Sequence, residues 1–199
     1  MSRGSAWDRC RAVLDSATRQ AQVRISFDID DTLACLPEHA EAEPDRLPSF
    51  VHRWLGEPLR SGTRELISDL RRQGCSVWIY TSSGRTPAYI RRWLLLYGIR
   101  VDGVVNSDRH QHMLGQRGLV NSPSKLPSAF DIDLHVDDSD GVRLEGLEHG
   151  FRVVVVCPKD DQWTQKVKQA ATDVQAMLAW QQPHRFSTAR AQRGSMLAS

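Results

Sequence analysis

The amino-acid sequence predicts an α/β fold with a parallel sheet of about five strands and helices on both faces. Short apolar segments alternate along the chain with segments whose apolar residues recur at helical spacing. Two acidic pairs and a threonine directly follow three of the apolar segments. Because parallel strands have their carboxyl ends at one edge of a sheet, these side chains are expected to share one pocket.

The first predicted strand, residues 23–27, leads into three aspartates within four positions, in the sequence FDIDDTL. Carboxylates this close repel one another, so they are not chosen for stability and instead indicate a site for a cation or a reacting phosphoryl group. The strand alternates apolar and polar residues, whereas a central parallel strand is expected to be apolar throughout. The pattern therefore predicts a functional acidic turn on a strand that fits the centre of a sheet poorly.

A segment rich in proline and glutamate, residues 34–60, follows the acidic turn. Its four prolines break any long element, and residues 49–55 are predicted to form a short helical turn. The segment is longer than an ordinary connection, and loops of this length are often active-site lids. It is therefore a small insert and a candidate lid.

The rest of the domain alternates predicted helices and strands, joined by right-handed crossovers. Thr86 is predicted to cap one helix, with Pro87 in its first turn and Gly98 as its stop. Residues 106–124 are predicted to be a polar loop. The predicted strands are 75–80, 101–105, 132–136 and 152–157, and the other predicted helices are 63–73 and 161–180.

The predicted organisation has three parts. Residues 1–21 include an amphipathic helix over 5–20, which either packs on the outside of the domain or forms a dimer contact. Residues 22–182 form the domain that carries the acidic motifs. Residues 183–199 are polar and without periodicity, which predicts a disordered tail.

Composition limits the class of protein. The chain has 199 residues, enough for one domain with a full core. Its net charge of +2 predicts neither a nucleic-acid nor a membrane partner, and its longest apolar run is far too short to span a bilayer. The four cysteines are widely spaced without C-x-x-C, so no zinc site or disulfide framework is predicted. The N-terminus resembles no secretory signal, so we expect a cytoplasmic protein.

Four motifs occur in a fixed order: FDIDDTL, then IYTSS, then a lone lysine, then LHVDD. They resemble the four motifs of the haloacid dehalogenase (HAD) superfamily of phosphohydrolases and lie within residues 25–138. The first motif, D-x-D-x-T after an apolar strand, is specific, whereas the second and third are weak alone, and the order and spacing of the motifs make the set strong. The resemblance implies a Rossmann-like, HAD-like fold with a minimal cap, because the two insertion slots hold only about thirty and about twenty residues.

The resemblance implies a role for each motif residue. Asp28 would attack phosphorus and form an aspartyl-phosphate, and Asp30 would protonate the leaving oxygen and then activate water. Thr81 would donate its hydroxyl to the phosphoryl oxygens, together with the backbone around Ser82. Lys125, the first lysine in the chain, would neutralise the charge of the nucleophile and the phosphoryl group.

The same resemblance implies a Mg²⁺ ion between the nucleophile and the phosphate. Its ligands would be the Asp28 side chain, the Asp30 backbone carbonyl and an acid of the fourth motif. Asp138 is favoured as the direct ligand. Asp137 would bind the ion directly or support it from behind, and Asp140 is a further alternative.

The expected function is a Mg²⁺-dependent phosphatase that acts on an unidentified phosphomonoester. Arg85 is expected either to bind a substrate anion or to be solvated. The first alternative is a nucleotide or polynucleotide phosphatase, whose sign would be salt-dependent affinity. The second is a signalling module like a two-component receiver, in which the phosphoacceptor lies on a middle strand. The third is a catalytically idle HAD-like binding protein.

Overall fold

The computed structural model describes residues 22–34, 38–117 and 123–195. It has a five-stranded, all-parallel sheet in the order β3-β2-β1-β4-β5, surrounded by helices, so the predicted α/β class is confirmed. The strands are β1 (Arg24–Phe27), β2 (Ser76–Tyr80), β3 (Gly103–Val105), β4 (Leu134–Asp137) and β5 (Val153–Val155). The helices are α1 (Ser49–Leu55), α2 (Thr63–Arg72), α3 (Pro87–Leu96), α4 (Ser107–Arg117), α5 (Asp140–His149) and α6 (Trp163–Ser195), with a 3-10 turn at Pro127–Phe130.

Residues 23–174 form one compact unit, which holds the whole sheet, whereas residues from 175 onward belong to a second unit. The core of the first unit lies between the sheet and the apolar faces of its helices. Its fully buried side chains include Ile25, Phe27, Leu66, Leu70, Val77, Ile79, Ile90 and Trp93. In the described residues, no helix is long and apolar enough to cross a membrane.

The alternating strand β1 is the centre of the sheet, paired with β2 on one side and β4 on the other. Its polar residue Ser26 is fully buried and lies opposite His135 of β4. The Ser26 hydroxyl and His135 Nδ1 are 2.8 Å apart and form a hydrogen bond. A polar residue is therefore tolerated in this central strand because the neighbouring strand provides its partner.

The helix signals around residues 63–98 are confirmed. Helix α2 begins at Thr63, and Gly74 follows its end in the left-handed conformation, with φ of 83°. Thr86 caps α3, and its hydroxyl accepts a hydrogen bond from the Tyr89 N–H at 3.2 Å. Pro87 is the first residue of α3, where its missing N–H is not needed.

The insert over residues 34–60 contains the predicted short helix, α1, and its ends are joined by isolated bridges. Ala34 pairs with Leu59, and Ala42 pairs with Arg60. The Glu57 carbonyl accepts hydrogen bonds from Trp93 Nε1 at 2.7 Å and from the Tyr97 hydroxyl at 3.1 Å. These bonds fix the end of the insert against α3, and its role as a lid stays a prediction.

The prediction of a polar loop over residues 106–124 is wrong for its first part, where α4 forms. The helix is polar except for a short apolar pair, Met113 and Leu114, which is buried. Both residues belong to a buried apolar cluster with Leu126, Val142 and Phe151. Tertiary packing of two side chains therefore stabilises a helix whose periodicity is too weak to be recognised. Residues 118–122 lie outside the described part.

Helix α5, between β4 and β5, has no counterpart among the predicted elements. Its signals are local: the Ser139 side chain accepts bonds from the N–H groups of Gly141 and Val142, at 3.1 and 3.4 Å. Gly150 ends the helix with φ of 74°. An N-cap serine and a C-terminal glycine would have predicted this helix even though its apolar pattern is weak.

Several element ends also differ from the sequence pattern. Strand β4 ends at Asp137, which therefore belongs to the sheet and does not follow it. Helix α6 continues to Ser195, past residue 180 and into the segment predicted to be a disordered tail. The residues after 183 include alanine, glutamine and arginine, which favour helix without any apolar face. The helix predicted over residues 5–20 lies outside the described residues.

Candidate active site

The carboxyl ends of β1 and β4 bring three carboxylates together. Asp28 follows β1, and its N–H donates to the Val136 carbonyl at 2.9 Å, so the parallel ladder places it beside Asp137. One carboxylate oxygen from each of Asp28, Asp137 and Asp138 lies within 4.8 Å of the others. The sequence-predicted acids of the first and fourth motifs therefore converge at one edge of the sheet.

Lys125 lies between the two buried acids. Its Nζ is 2.9 Å from Asp28 Oδ1 and donates a hydrogen bond to Asp137 Oδ2 at 2.5 Å. Burial alone would lower the pKa of Lys125, but the charges of Asp28 and Asp137 outweigh burial and raise that pKa. Lys125 is therefore a buried ammonium that compensates part of the negative charge of the cluster.

The three acids differ electrostatically. Burial raises the pKa of Asp28, although Lys125 opposes this shift. Burial also acts to raise the pKa of Asp137, but the hydrogen bond from His135, together with the charge and hydrogen bond of Lys125, lowers it well below its usual range. The pKa of Asp138 is raised by burial and then by the charge of Asp137. Asp137 is thus the most strongly held anion, and Asp28 the least stabilised of the buried pair.

His135 is a functional candidate that the sequence interpretation missed. It is fully buried, and its Nε2 lies 2.9 Å from Asp137 Oδ2, which also accepts the bond from Lys125. The signal in the sequence is a histidine inside the apolar strand segment LHVDD. This histidine can be interpreted only when the strand register is known, because the register shows that Ser26 lies opposite it.

The donor set at this edge fits a hard divalent cation such as Mg²⁺. Carboxylate oxygens are the ligands that Mg²⁺ prefers, and three lie close together. Asp28 Oδ1 is buried, and the Lys125 ammonium lies 2.9 Å from it. A bound cation would share the charge of this carboxylate with Lys125. Asp140 is outside the group, because it is exposed on α5 and pairs with Arg143 at 2.9 Å.

Thr81 directly follows β2, which neighbours β1, and its side chain is buried. Its hydroxyl accepts a bond from the Ser83 N–H at 3.1 Å and lies 3.2 Å from the Ser83 hydroxyl. The Thr81 N–H is bonded to the Val105 carbonyl at 3.0 Å. The turn after β2 is therefore ordered by Thr81 itself, while the neighbouring Ser82 is exposed.

Asp30 and Arg85 form a second group at the rim of the site. The Arg85 guanidinium donates to both Asp30 oxygens, at 2.9 and 2.7 Å, and to both Glu57 oxygens, at 2.8 and 2.7 Å. These two carboxylates, Glu57 first, raise the pKa of Arg85. Tyr89 donates its hydroxyl to Glu57 at 2.9 Å. Arg85 therefore connects the acidic turn to the insert, and Glu57 is a partner that the sequence interpretation missed.

No family model and no curated protein matches the chain. Among solved structures, the chain is similar to one described as a predicted HAD-like family hydrolase from Porphyromonas gingivalis. The TM-score is 0.40 and the sequence identity is 13%, over 75% of this chain and 98% of that chain. Similarity at this level is too weak to bear on the reaction, so the chemistry has to be derived from the site.

Proposed function

We propose that the protein is a Mg²⁺-dependent phosphatase of the HAD-like type, which hydrolyses a phosphomonoester through an aspartyl-phosphate on Asp28. The observation that carries the proposal is the buried ammonium of Lys125, in contact with Asp28 and Asp137, with Asp138 completing the group of three acids. One lysine does not balance three carboxylates. A divalent cation would neutralise the remainder, and a phosphoryl group would then approach without strong repulsion.

Asp28 is the group best suited to attack phosphorus. Its carboxylate is buried, and burial raises the pKa of the group despite the opposing effect of Lys125, so the anion is basic enough to act as a nucleophile. The Lys125 ammonium forms an ion pair with Asp28 Oδ1. It can also stabilise the negative charge that develops on the phosphoryl oxygens during the attack. Thr81 lies at the adjacent strand end, where its hydroxyl can donate to the same oxygens.

The side chains of Asp28 and Asp138, with Asp137 beside them and the Asp30 carbonyl, would hold the cation. When bound, Mg²⁺ neutralises the charge between the carboxylate and the phosphate. The side chain of Asp30 would give a proton to the leaving oxygen and later take one from water. This role suits its place at the exposed rim, where it is 57% exposed and the leaving group can depart.

The position of Arg85 supports the proposal that the substrate carries an anionic group, which would bind at the rim of the site. Its guanidinium is prepared for planar, bidentate contacts, and its four present partners are carboxylate oxygens. A substrate anion would take the place of Asp30 and leave Glu57 as the anchor of Arg85. Such an exchange would free Asp30 for proton transfer at the moment when the substrate is bound.

The small size of the insert supports the proposal of an open site with a minimal cap. Its helix α1 carries two exposed aromatic residues, Phe50 and Trp54, which offer a surface for the remainder of a substrate. The receiver-like alternative is disfavoured by topology. Receivers have the flavodoxin-like strand order 2-1-3-4-5, whereas this sheet has the order 3-2-1-4-5 with Asp28 after the central first strand.

The direct test is hydrolysis of a generic aryl phosphate by the purified protein, with Mg²⁺ and with a chelator. The test includes Asp28→Asn and, as a matched control, Asp173→Asn, which changes an exposed aspartate on α6. We expect turnover that needs Mg²⁺, disappears in Asp28→Asn and remains in Asp173→Asn. Equal turnover by Asp28→Asn would contradict the proposal. If the wild type fails to turn over, titration with Mg²⁺ and a phosphate analogue will separate a narrow substrate range from an idle relative.

A further inference from the structure

A ladder of buried polar side chains lies beneath the acidic cluster. Ser26 and His135 are directly opposite in the parallel pairing of β1 and β4. Since side chains alternate along a strand, Ser26 lies on the same face as Asp28, and His135 lies on the same face as Asp137. The exposed fractions of Ser26, His135 and Asp137 are 0%, 0% and 1%, so water cannot replace any of their contacts.

The directions of the hydrogen bonds in this ladder follow from the chemistry of its ends. The Asp137 carboxylate can only accept, so His135 Nε2 must carry the proton of the 2.9 Å bond between them. In a neutral imidazole ring one nitrogen donates and the other accepts. Nδ1 is then an acceptor, and the Ser26 hydroxyl donates to it at 2.8 Å. Ser26 thereby selects the tautomer that donates to Asp137.

The imidazole ring is also held by its neighbours. The Tyr80 ring is 5.6 Å from the His135 ring, centre to centre, at an angle of 51°. The Tyr80 hydroxyl accepts a bond from the Leu126 N–H at 2.8 Å and lies 2.6 Å from His110 Nδ1. Leu126 follows Lys125 in the chain. Tyr80 therefore contacts the His135 ring and also binds the backbone next to Lys125.

Asp137 is oriented from three directions. Its Oδ2 accepts bonds from His135 and Lys125, and its Oδ1 accepts the Ser139 N–H at 2.9 Å. A carboxylate has about four acceptor positions, so Oδ1 keeps capacity for a further ligand. Without the His135 donor, Lys125 would be the remaining side-chain partner of Oδ2, and the carboxylate could turn toward the ammonium and away from the cluster.

We propose that His135 is a positioning residue that orients Asp137 and thereby sets the affinity of the acidic cluster for Mg²⁺, an inference that rests on the proposed function. Donors that orient metal-binding carboxylates typically change metal affinity or activity by about 10–100-fold when they are removed. His135 is buried beneath the site, so its effect on hydrolysis would act through Asp137 and appear mainly in the Mg²⁺ requirement and kcat.

The test compares two amide variants of similar polarity. His135→Gln can place an amide N–H near the position of Nε2, whereas His135→Asn is too short to reach Asp137. The exposed His112, which bonds Gln116 on α4, gives the control His112→Gln. Mg²⁺ binding is measured by calorimetry without substrate, and each variant is checked for wild-type circular dichroism. Hydrolysis by the same proteins gives the Mg²⁺ requirement, kcat and KM.

We expect His135→Asn to bind Mg²⁺ about tenfold more weakly and His135→Gln to stay within about threefold of the wild type. The kcat should fall in His135→Asn with little change in the KM for substrate. Equal Mg²⁺ affinity in both folded variants would overturn the inference. If either variant fails to fold, nitrogen-15 NMR of the wild-type histidines decides, because the inference requires that the proton of the bond to Asp137 is carried by His135 Nε2. A wild type that binds no Mg²⁺ would instead refute the proposed function, while the NMR result would still test the ladder.

Discussion

The candidate site has an inner and an outer cluster of charges that are built in different ways. The inner cluster consists of Asp28, Lys125, His135 and Asp137, all of them buried. Three of these residues lie on or directly after the neighbouring strands β1 and β4, so the backbone pairing fixes their separation. Each charge in this cluster depends on its partners, because the fold has removed it from water.

The outer cluster consists of Asp30, Arg85 and Glu57. It is partly exposed, and its members come from three separate loops, including the insert. Water screens these pairs, so their net contribution to folding is expected to be small. The comparison teaches that ion pairs of equally short distance can differ in role: the inner pairs maintain a charged site inside the fold, whereas the outer pairs are open to water and are the ones that we propose a substrate anion would replace.

The largest effect is expected when the inner cation is removed. In Lys125→Met, Asp28 and Asp137 are left buried without their compensating charge, so the free energy of unfolding should fall by about 3–5 kcal/mol. Hydrolysis should also be lost. Chemical denaturation measures the first effect, and Lys125→Met combined with Asp137→Asn should recover part of the stability. A loss below about 1 kcal/mol would mean that the cluster is hydrated, which would remove the difference between the two clusters.

The outer cation should behave in the opposite way. Arg85→Gln should change the free energy of unfolding by less than about 1 kcal/mol, because its ion pairs are partly exposed. We expect kcat/KM to fall about tenfold, mainly through a higher KM, if Arg85 binds an anion of the substrate. Arg72→Gln, at an exposed arginine paired with Asp69, is the matched control and should leave KM unchanged. Lower kcat at constant KM would place Arg85 in the chemical step.

A smaller effect should follow from loosening the insert. Trp93→Phe removes the N–H that donates to the Glu57 carbonyl at 2.7 Å and leaves a small cavity at a fully buried position, which together should cost about 1–3 kcal/mol of stability. The end of the insert should then be more mobile, and limited proteolysis should cut within residues 34–60 more rapidly than in the wild type. Unchanged cleavage would show that Tyr97 and the isolated bridges hold the insert without Trp93.

The smallest effect concerns His110, which contacts Tyr80 next to the inner cluster. Burial lowers the pKa of His110, which contacts Tyr80 and the Pro123 backbone, with Glu145 acting electrostatically in the opposite direction. A histidine with a lowered pKa in the folded state stabilises the fold above its unfolded pKa of about 6.5, and this stability is lost as pH falls. The loss is at most about 1.4 kcal/mol per pH unit for one proton. His110→Gln should reduce the slope of unfolding free energy between pH 7 and 5.5, and an identical slope would contradict this assignment.

The inner cluster is largely predictable from the sequence because its parts lie at strand ends. Apolar segments identify β1 and β4, and the shared edge of a parallel sheet brings Asp28 and Asp137 to one pocket, while the strand order seen in the structure makes them direct neighbours. Lys125 is recognisable from its place between the motifs. His135 is different, since its partner Ser26 is defined only by the register of two strands more than a hundred residues apart in the chain.

The outer cluster could not be predicted in the same way. Glu57 lies in an insert whose path depends on bonds to Trp93 and Tyr97, and no periodic pattern records those bonds. Helices α4 and α5 were equally difficult, because each buries only a few apolar residues and gains its stability from tertiary contacts. For α5, the capping residues Ser139 and Gly150 carried the only clear local signal.

The central claim is that Asp28 carries the phosphoryl group during hydrolysis. An acyl phosphate is reduced by borohydride, which would convert a phosphorylated Asp28 into homoserine. The measurement is mass spectrometry of the peptide that contains residue 28, after borohydride is added to enzyme that is turning over an aryl phosphate with Mg²⁺. Our account predicts homoserine at position 28, and none when substrate or Mg²⁺ is omitted. Active enzyme with an unmodified Asp28, or with the modification at another acid, would contradict it.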